Sequence, residues 1–485
     1  MSVQFQIISA YRYPGAYIEI DGSKAGLGSG LPAVLLVGQK LAGGSAPAGV
    51  LAQISSVQDA INKFGAGSML AQMAARYRAI DPTFDLWAMP YSDNGAGVQA
   101  AGTITVSAVP TAAGTLSLYI AGRLVSVGVT ANQALASVAT AIAAAVTATA
   151  DLPCSAAAVG AVVTLTALHK GTCGNSIDVR LGLYGEPTPT GLGLSLAAFT
   201  GGSGDPAPGS LSAVIGQHWF RYVALGMNDA ATLAAWHAES QTRYKPPIQA
   251  GFRAFTALRG DYATAATYGA AANYEHICCL GLELNPTSTW EAAAIVAAAA
   301  GPALWNNPVN SLEGVPLTGL VGKTYFDWTS ANSLLFKGVS VMQAAPDGSC
   351  SIKRLVTMYQ YRPDGSADDA YLDVNTPEVL ERIRFEQRYR AYQQFAGTAA
   401  AKSNEGYRPG LQITTVDSVK AFLLSTYKNV LLAQNGWVQE YAYYKSTLVV
   451  EQDPQNPSRF NYLDAPVILS PFYILAGREQ FRKAV

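Results

Sequence analysis

Ala33-Val34-Leu35-Leu36-Val37-Gly38 is followed by apolar positions Val57, Ile61, Phe64, Leu70 and Met73, and then by Phe84-Asp85-Leu86-Trp87-Ala88-Met89-Pro90. The first run has no polar alternation, which marks a strand buried on both faces. The spaced positions predict a helix that Ser55 or Ser56 can cap and that runs towards Ile80. The third stretch is a second strand. Strand, helix, strand is the unit of a parallel or mixed sheet with helices on its faces.

Outward from this unit the rhythm breaks and then returns. Between Val98 and Gly204 the only charged residues are Arg123, Asp151, Lys170, Asp178, Arg180 and Glu186. Alternating stretches at 103–106, 115–120 and 161–166 predict strands, and 132–147 predicts one helix. After Asp205 strands are expected at 221–225, 248–258 and 275–284, with helices at 229–244, 262–273 and 288–304. From 306 onward the pattern predicts a hairpin (339–344 and 351–361, turning at Pro346-Asp347-Gly348). A long helix follows, with Thr376 as N-cap and Pro377 in its first turn. A second helix runs from Thr415 to the stop signal Asn435-Gly436. Strands at 443–451 and 459–463 complete the region.

The fold class that results is a mixed α/β and α+β multidomain chain. Its expected parts are an N-terminal arm and linker (1–30), an α/β body (31–97 and 205–305), an inserted β-rich domain (98–204), a C-terminal α+β domain (306–465) and a C-terminal strand arm (466–485). The N-terminal arm carries the strand pattern Tyr17-Ile18-Glu19-Ile20 behind Pro14-Gly15, and 21–30 is a Gly/Ser-rich linker. The C-terminal arm is apolar on both faces of a strand. Ile468, Phe472 and Ile474 point one way and Val467, Leu469, Tyr473, Leu475 and Phe481 the other. Such a strand needs cover on both sides, from the chain's own sheet or from another copy. Of the segments beside the arms, 21–30 is the flexible candidate, and Asp464-Ala465-Pro466 is short and expected to be the stiffer one.

Only 13% of the 485 residues are charged and the net charge is −1. This gives no reason to expect nucleic acid or an anionic membrane as a partner, and a sparsely charged, nearly neutral surface is prone to self-association. The five cysteines are scattered and odd in number, which argues for a reducing compartment rather than a disulfide framework. No charged segment followed by an apolar one opens the sequence, so no signal peptide is expected. The apolar helical stretch 290–300 is too short to span a bilayer.

Residues suited to chemistry are few. His169, His218, His237 and His276 have no metal-ligand spacing, and His276 with Cys278 and Cys279 reads as a buried strand because zinc would need further ligands. Gly26-Leu27-Gly28-Ser29-Gly30 precedes a strand, whereas a dinucleotide fingerprint follows one. The stretch 38–44 follows a strand but lacks the Gly-Lys-Ser/Thr ending of a phosphate loop. Asp364, Asp368, Asp369 and Asp373 read as a turn-rich loop. No catalytic residue, metal or cofactor is therefore assigned. The long helix carries Arg382, Arg384, Arg388 and Arg390 among Glu378, Glu381 and Glu386. It is read either as a solvated face with four-residue ion pairs (Glu378 with Arg382, Glu386 with Arg390) or as a protein-contact surface.

The order of these features resembles the tail sheath proteins of contractile-tailed bacteriophages, in particular the Mu-like group. The resemblance rests on the arm Pro14, Gly15, Tyr17, Ile18 and Glu19; the interrupted α/β body with Pro316-Leu317-Thr318-Gly319-Leu320; the run Asn375-Thr376-Pro377-Glu378 into the arginine-rich helix; and the apolar end with Gln480-Phe481-Arg482. It spans the chain except the insertion. It implies a structural subunit, not an enzyme. Such subunits stack as rings, hexameric in the family, around a tail tube, meet baseplate and tail terminator proteins, and contract to drive the tube through the host envelope. It implies a place in the virion tail, after synthesis and assembly in the host cytoplasm. It also implies that the arms add strands to neighbouring sheets, with no nucleotide consumed. Two alternatives stand beside it: an α/β nucleotide-binding enzyme using residues 38–44, and another appendage subunit, tube or adhesin, in which the insertion binds.

Overall fold

The computed structural model describes residues 32–322, 324–403 and 410–483. The opening apolar run forms the strand Ala33–Gln39, buried from Val34 onward. It pairs in parallel with Asp85–Tyr91 on one side and Phe220–Leu225 on the other. Its even-numbered side chains face one layer and its odd-numbered ones the opposite layer. Met69 and Met73, from the helix Met69–Ile80, close over Gly38 on the first face. On the second, Trp236 of the helix Ala230–Tyr244 meets Leu35 and Val223 around a small interior space. Cover on both faces is why the strand carries no polar alternation.

The full sheet has eight strands in the order Cys350–Arg354, Val339–Ala344, Ile277–Leu282, Arg253–Arg259, Phe220–Leu225, Ala33–Gln39, Asp85–Tyr91, Ala52–Gln53. Interior pairs are parallel and the two outermost pairs antiparallel. The alanine-rich helix Thr289–Asn306 is buried along most of its length. Its small side chains let it approach closely, and a methyl on Gly301 would stand only 3.2 Å from the Tyr222 ring. Among the described residues no helix is long and apolar enough to cross a membrane.

Residues 99–200 build two further antiparallel sheets. One has four strands, ordered Gly193–Thr200, Gln99–Ala108, Val162–Lys170, Cys154–Val159. The other has three, ordered Arg123–Val129, Gly114–Ile120, Val179–Leu181. The helix Leu135–Ala148 packs on them. This part is tied to the body by Glu291, fully buried, which accepts from Arg123 of the insertion at 2.7 Å and from Arg76 of the body at 2.8 Å. A smaller second core gathers Val379, Ile383, Phe422, Leu423, Tyr427, Leu431, Trp437, Val438, Tyr444 and Leu448.

Several expectations are corrected. The helix read from Ser55 or Ser56 to Ile80 is two helices, Val57–Phe64 and Met69–Ile80, capped by Ser56 and Ser68. Gly65 and Gly67, at φ +93° and +76°, turn the chain between them in a region other residues avoid. The boundary expected at 305/306 cuts through the main sheet: Val339–Ala344 pairs in parallel with Ile277–Leu282, and Cys350–Arg354 extends it. A hairpin pattern carries no information about its outer neighbour, so the sequence could not reveal this. Thr376 lies inside the helix Asn375–Phe395 rather than at its cap. Asn375 instead donates to the carbonyl oxygens of Pro308 and Asn310. Residues 443–451 begin as the helix Tyr441–Thr447 before the strand Val449–Gln452, because Tyr444 turns inward to stack on Tyr427 at 3.8 Å. The second helix starts after Thr415 as expected, with a capping box, then widens into a π-helix over Thr426–Gln434.

Glu378, in the first turn of Asn375–Phe395, joins that helix to the sheet. It is buried and receives Arg221 at 2.7 Å and Arg382 at 3.1 Å, with Arg253 at 3.7 Å. Burial pushes its carboxyl pKa up, but Arg221, Arg382 and Arg253 together hold it below its ordinary value. Glu291 behaves alike, with Arg123 and Arg76 outweighing burial. Carboxylates depressed in the folded state stabilise it above their unfolded pKa and lose that contribution as pH falls through the folded value. Urea unfolding should therefore show stability falling as the pH drops below the ordinary glutamate value of 4.5. Glu378→Ala should cost about 3–5 kcal/mol at neutral pH, because it strands buried arginines. Glu386→Ala, in a partly exposed pair, should cost under about 1 kcal/mol.

Candidate assembly surface

The C-terminal segment begins with fastenings. Asp464 Oδ2 accepts from Gln387 Nε2 at 2.9 Å and from the Tyr444 hydroxyl at 3.1 Å. Val467 and Ile468 pair antiparallel with Val438–Gln439 of the same chain, and the Leu469 amide donates to the Trp437 carbonyl. Ile468 and Leu469 pack on the second core. Asp464-Ala465-Pro466, expected to be the stiffer segment, is thus pinned at Asp464, and the expected long strand is two residues paired within the chain. Residues 469–483 have no regular secondary structure. Pro471 contributes here, since it has no N–H to give a ladder.

The segment then crosses to the main sheet. The Tyr473 ring lies under the Arg354 guanidinium, 4.6 Å away. Burial, with Asp373 behind it, pushes the phenol pKa up to about 12. Ile474, 74% exposed, borders an open groove of about 610 Å³ lined also by Phe336, Tyr359 and Leu372. Phe472 is exposed as well, and Leu475 and Phe481 almost fully, at 88% and 89%. The other expected arm residues, Tyr17, Ile18, Glu19 and Ile20, and the linker 21–30 lie outside the described residues.

A second feature complements this exposed chain. Val449–Gln452 and Phe460–Leu463 form a two-stranded antiparallel sheet with no third strand among the described residues. Val450 packs on the second core, while Val449, Tyr462 and Leu463 are exposed. A lone two-stranded hairpin is marginal by itself, and its outer edges present unpaired backbone groups. Glu451, Asp453 and Asp464 outnumber Arg459 around it, whereas Arg478, Arg482 and Lys483 outnumber Glu479 in the exposed segment.

The four arginines of the long helix divide. Arg382 donates to the carbonyls of Leu304 and Trp305 and lies 4.5 Å from the Trp305 ring. Arg384 pairs with Glu381, donates to the Tyr244 carbonyl and stacks on that ring at 4.2 Å. Both face inward, because Glu378 and Glu381 on the same side are buried. Arg390 pairs with Glu386 at 2.8 Å, and Arg388, exposed, reaches Gln249 at 3.3 Å. The outer face also carries Phe385, Tyr389 and Tyr392, which the arginine-centred reading missed. Their spacing of four and then three residues was the available signal.

The remaining candidates are occupied or filled. A methyl on Gly38 would meet Met69 sulfur at 2.9 Å, and one on Gly44 would strike the Lys63 carbonyl, so both ends of 38–44 are packed against helices, while Ala42 and Gly43 between them are exposed. Cys278 and Cys279 are core residues of Ile277–Leu282, and His276 Nδ1 meets the Ser240 hydroxyl at 3.1 Å. Asp364, Asp368 and Asp373 engage Ser366, Arg362 and Arg354 separately.

No protein-family model matches the chain. A protein of Haemophilus influenzae described as the Mu-like prophage FluMu tail sheath protein is 31% identical over 487 residues, covering 99% of this chain and all of that one. Among solved structures, the sheath tail protein of Desulfitobacterium hafniense is 14% identical, covers 94% of this chain and 100% of its own, and has a TM-score of 0.47. The Listeria innocua sheath tail protein is 13% identical over 90% and 95%, with a TM-score of 0.46. The helical sheath of the anti-feeding prophage in its contracted state is 12% identical over 96% and 98%, with a TM-score of 0.48.

The division of the arginines is measurable. Arg382→Ala should lower unfolding stability by about 2–4 kcal/mol by removing a buried partner of Glu378. Arg388→Ala should stay within about 0.5 kcal/mol of the parent in the same urea titration.

Proposed function

The chain belongs to the Mu-like tail sheath protein family, and on that footing we propose that it polymerises around a tail tube and contracts to drive the tube through a host envelope. The observation that carries this reading is that one chain holds both a donor and an acceptor for strand addition. The donor is the exposed segment from Leu475, apolar at Leu475 and Phe481 and basic at Arg478, Arg482 and Lys483. The acceptor is the acidic, open-edged hairpin Val449–Gln452 with Phe460–Leu463. A segment inserted along that edge in a second copy would satisfy backbone groups that are otherwise bare. Opposite charge would guide the pairing.

In this reading the subunit is structural. It stacks as rings, hexameric by family analogy, and the paired arms hold while the bodies move. The work comes from the assembly, with no nucleotide consumed. The N-terminal arm Tyr17 to Ile20 makes a second link to a neighbour. The outward face of the long helix, Phe385, Arg388, Tyr389 and Tyr392 with Arg390, is assigned to the tube or an adjacent subunit, since aromatic residues and arginine are favoured at interfaces. Residues 98–204 are an appended unit on the body, joined through Glu291. Baseplate and tail terminator proteins bound the two ends of the polymer. The subunit is made and assembled in the host cytoplasm and resides in the virion tail.

Deleting residues 475–485 should leave a folded subunit with the parent's urea midpoint that forms no long tubes in electron micrographs. Tubes of normal length from the truncated chain would sink the reading.

A further inference from the structure

We infer that Tyr473, held under Arg354, is a clamp that fixes the root of the C-terminal arm to its own subunit, so that the working arm starts at Leu475 and hinges at Ala476-Gly477. The purpose given to the arm rests on the sheath reading above; the clamp stands on geometry alone.

The root is fastened twice, to two different cores. The first fastening is the Val467–Ile468 ladder with Val438–Gln439, which sits on the small second core. The second is Tyr473. Arg354, at the end of the edge strand of the main sheet, is gripped by Asp373 through two bonds of 3.0 and 3.1 Å. Its guanidinium is therefore held in place, with its central carbon over the Tyr473 ring, 4.6 Å from the centroid. A cation held over an aromatic face in a partly desolvated place is a directional contact. The phenol oxygen is itself buried, beside Ser311 and Leu312. Ile474 only borders the neighbouring groove and is itself exposed, so Tyr473 is the last residue of the root that is partly covered.

Past this point restraint stops. Leu475 is 88% exposed, a methyl on Gly477 would meet nothing within 4 Å, and 476–483 are exposed without regular structure. Glycine lowers the cost of turning there. The consequence is a short reach. At about 3.3–3.6 Å per residue, the segment from Leu475 through Lys483 spans at most about 30 Å. An arm freed at Pro466 would span roughly twice that. The clamp thus restricts the arm to a directly adjacent copy and sets its direction from the main sheet rather than from the small core.

Limited chymotrypsin digestion of the full-length subunit, before assembly, tests the clamp, because cleavage of a fastened segment tracks the population of its opened form. Cuts after Leu475 and Phe481 should come first, and the cut after exposed Phe472 should lag well behind them. Tyr473→Ala should speed cleavage after Phe472 by about tenfold or more, the scale of a desolvated cation–π contact. It should leave the urea midpoint unchanged and raise the concentration needed for tube growth. Tyr473→Phe keeps the ring and should behave as the parent. Equally fast cleavage after Phe472 and Phe481 in the parent, or normal tube growth by Tyr473→Ala, overturns the clamp. A parent chain that protects Phe472 but makes no tubes upholds the clamp and overturns the sheath reading instead.

Discussion

The buried carboxylate of Glu378 is the interaction on which the arrangement of this subunit depends. It draws Arg221 and Arg253 from two neighbouring strands of the main sheet and Arg382 from its own helix. A charge taken out of water must be paired or the fold pays its full desolvation. The geometry leaves one solution, in which the helix Asn375–Phe395 stands at the sheet with its first turn against those strands. The second core hangs on this helix through Val379 and Ile383. The tail hangs in turn on that core, through Ile468 and Leu469. Glu291 does the same for the insertion with Arg76 and Arg123. Two buried glutamates thus hold three structural regions in register.

Edges follow a consistent pattern. The main sheet is closed at one end by the loop 314–317, whose backbone bonds with Cys350 and Ile352, and at the other by the two-residue strand Ala52–Gln53. Short or covered edges resist unwanted pairing. The hairpin Val449–Gln452 with Phe460–Leu463 has neither protection. The main sheet is thus shielded at both ends, while the hairpin beside the second core, like the outer strands of the insertion, is not.

The strands and helices of the main sheet were largely legible, because burial on two faces writes itself as an uninterrupted apolar run and helix caps write themselves as serine and threonine. The misreadings share a cause. Tyr441, Tyr443 and Tyr444 fit either period, and only the stack of Tyr444 on Tyr427 decides for a helix. Val467 to Phe481 satisfied a strand pattern on both faces, yet pattern alone says nothing about which edge is available. Arg382 and Arg384 were indistinguishable from Arg388 in sequence. They differ because buried Glu378 and Glu381 pull two of them inward.

By itself the sequence determined the class of fold, the interruption of the body by a β-rich segment and, by the order of its motifs, the family. Each of these is a local property: a period, a composition shift, a cap, a motif. Only the tertiary structure decided that the hairpin Val339–Ala344 with Cys350–Arg354 extends the main sheet, that Asp464 is pinned, that Tyr473 lies under Arg354, and that both ends of the main sheet are covered. Those are relations between residues distant in the chain. They depend on where a charge can be neutralised and which backbone groups find a partner, and neither is encoded in any single stretch.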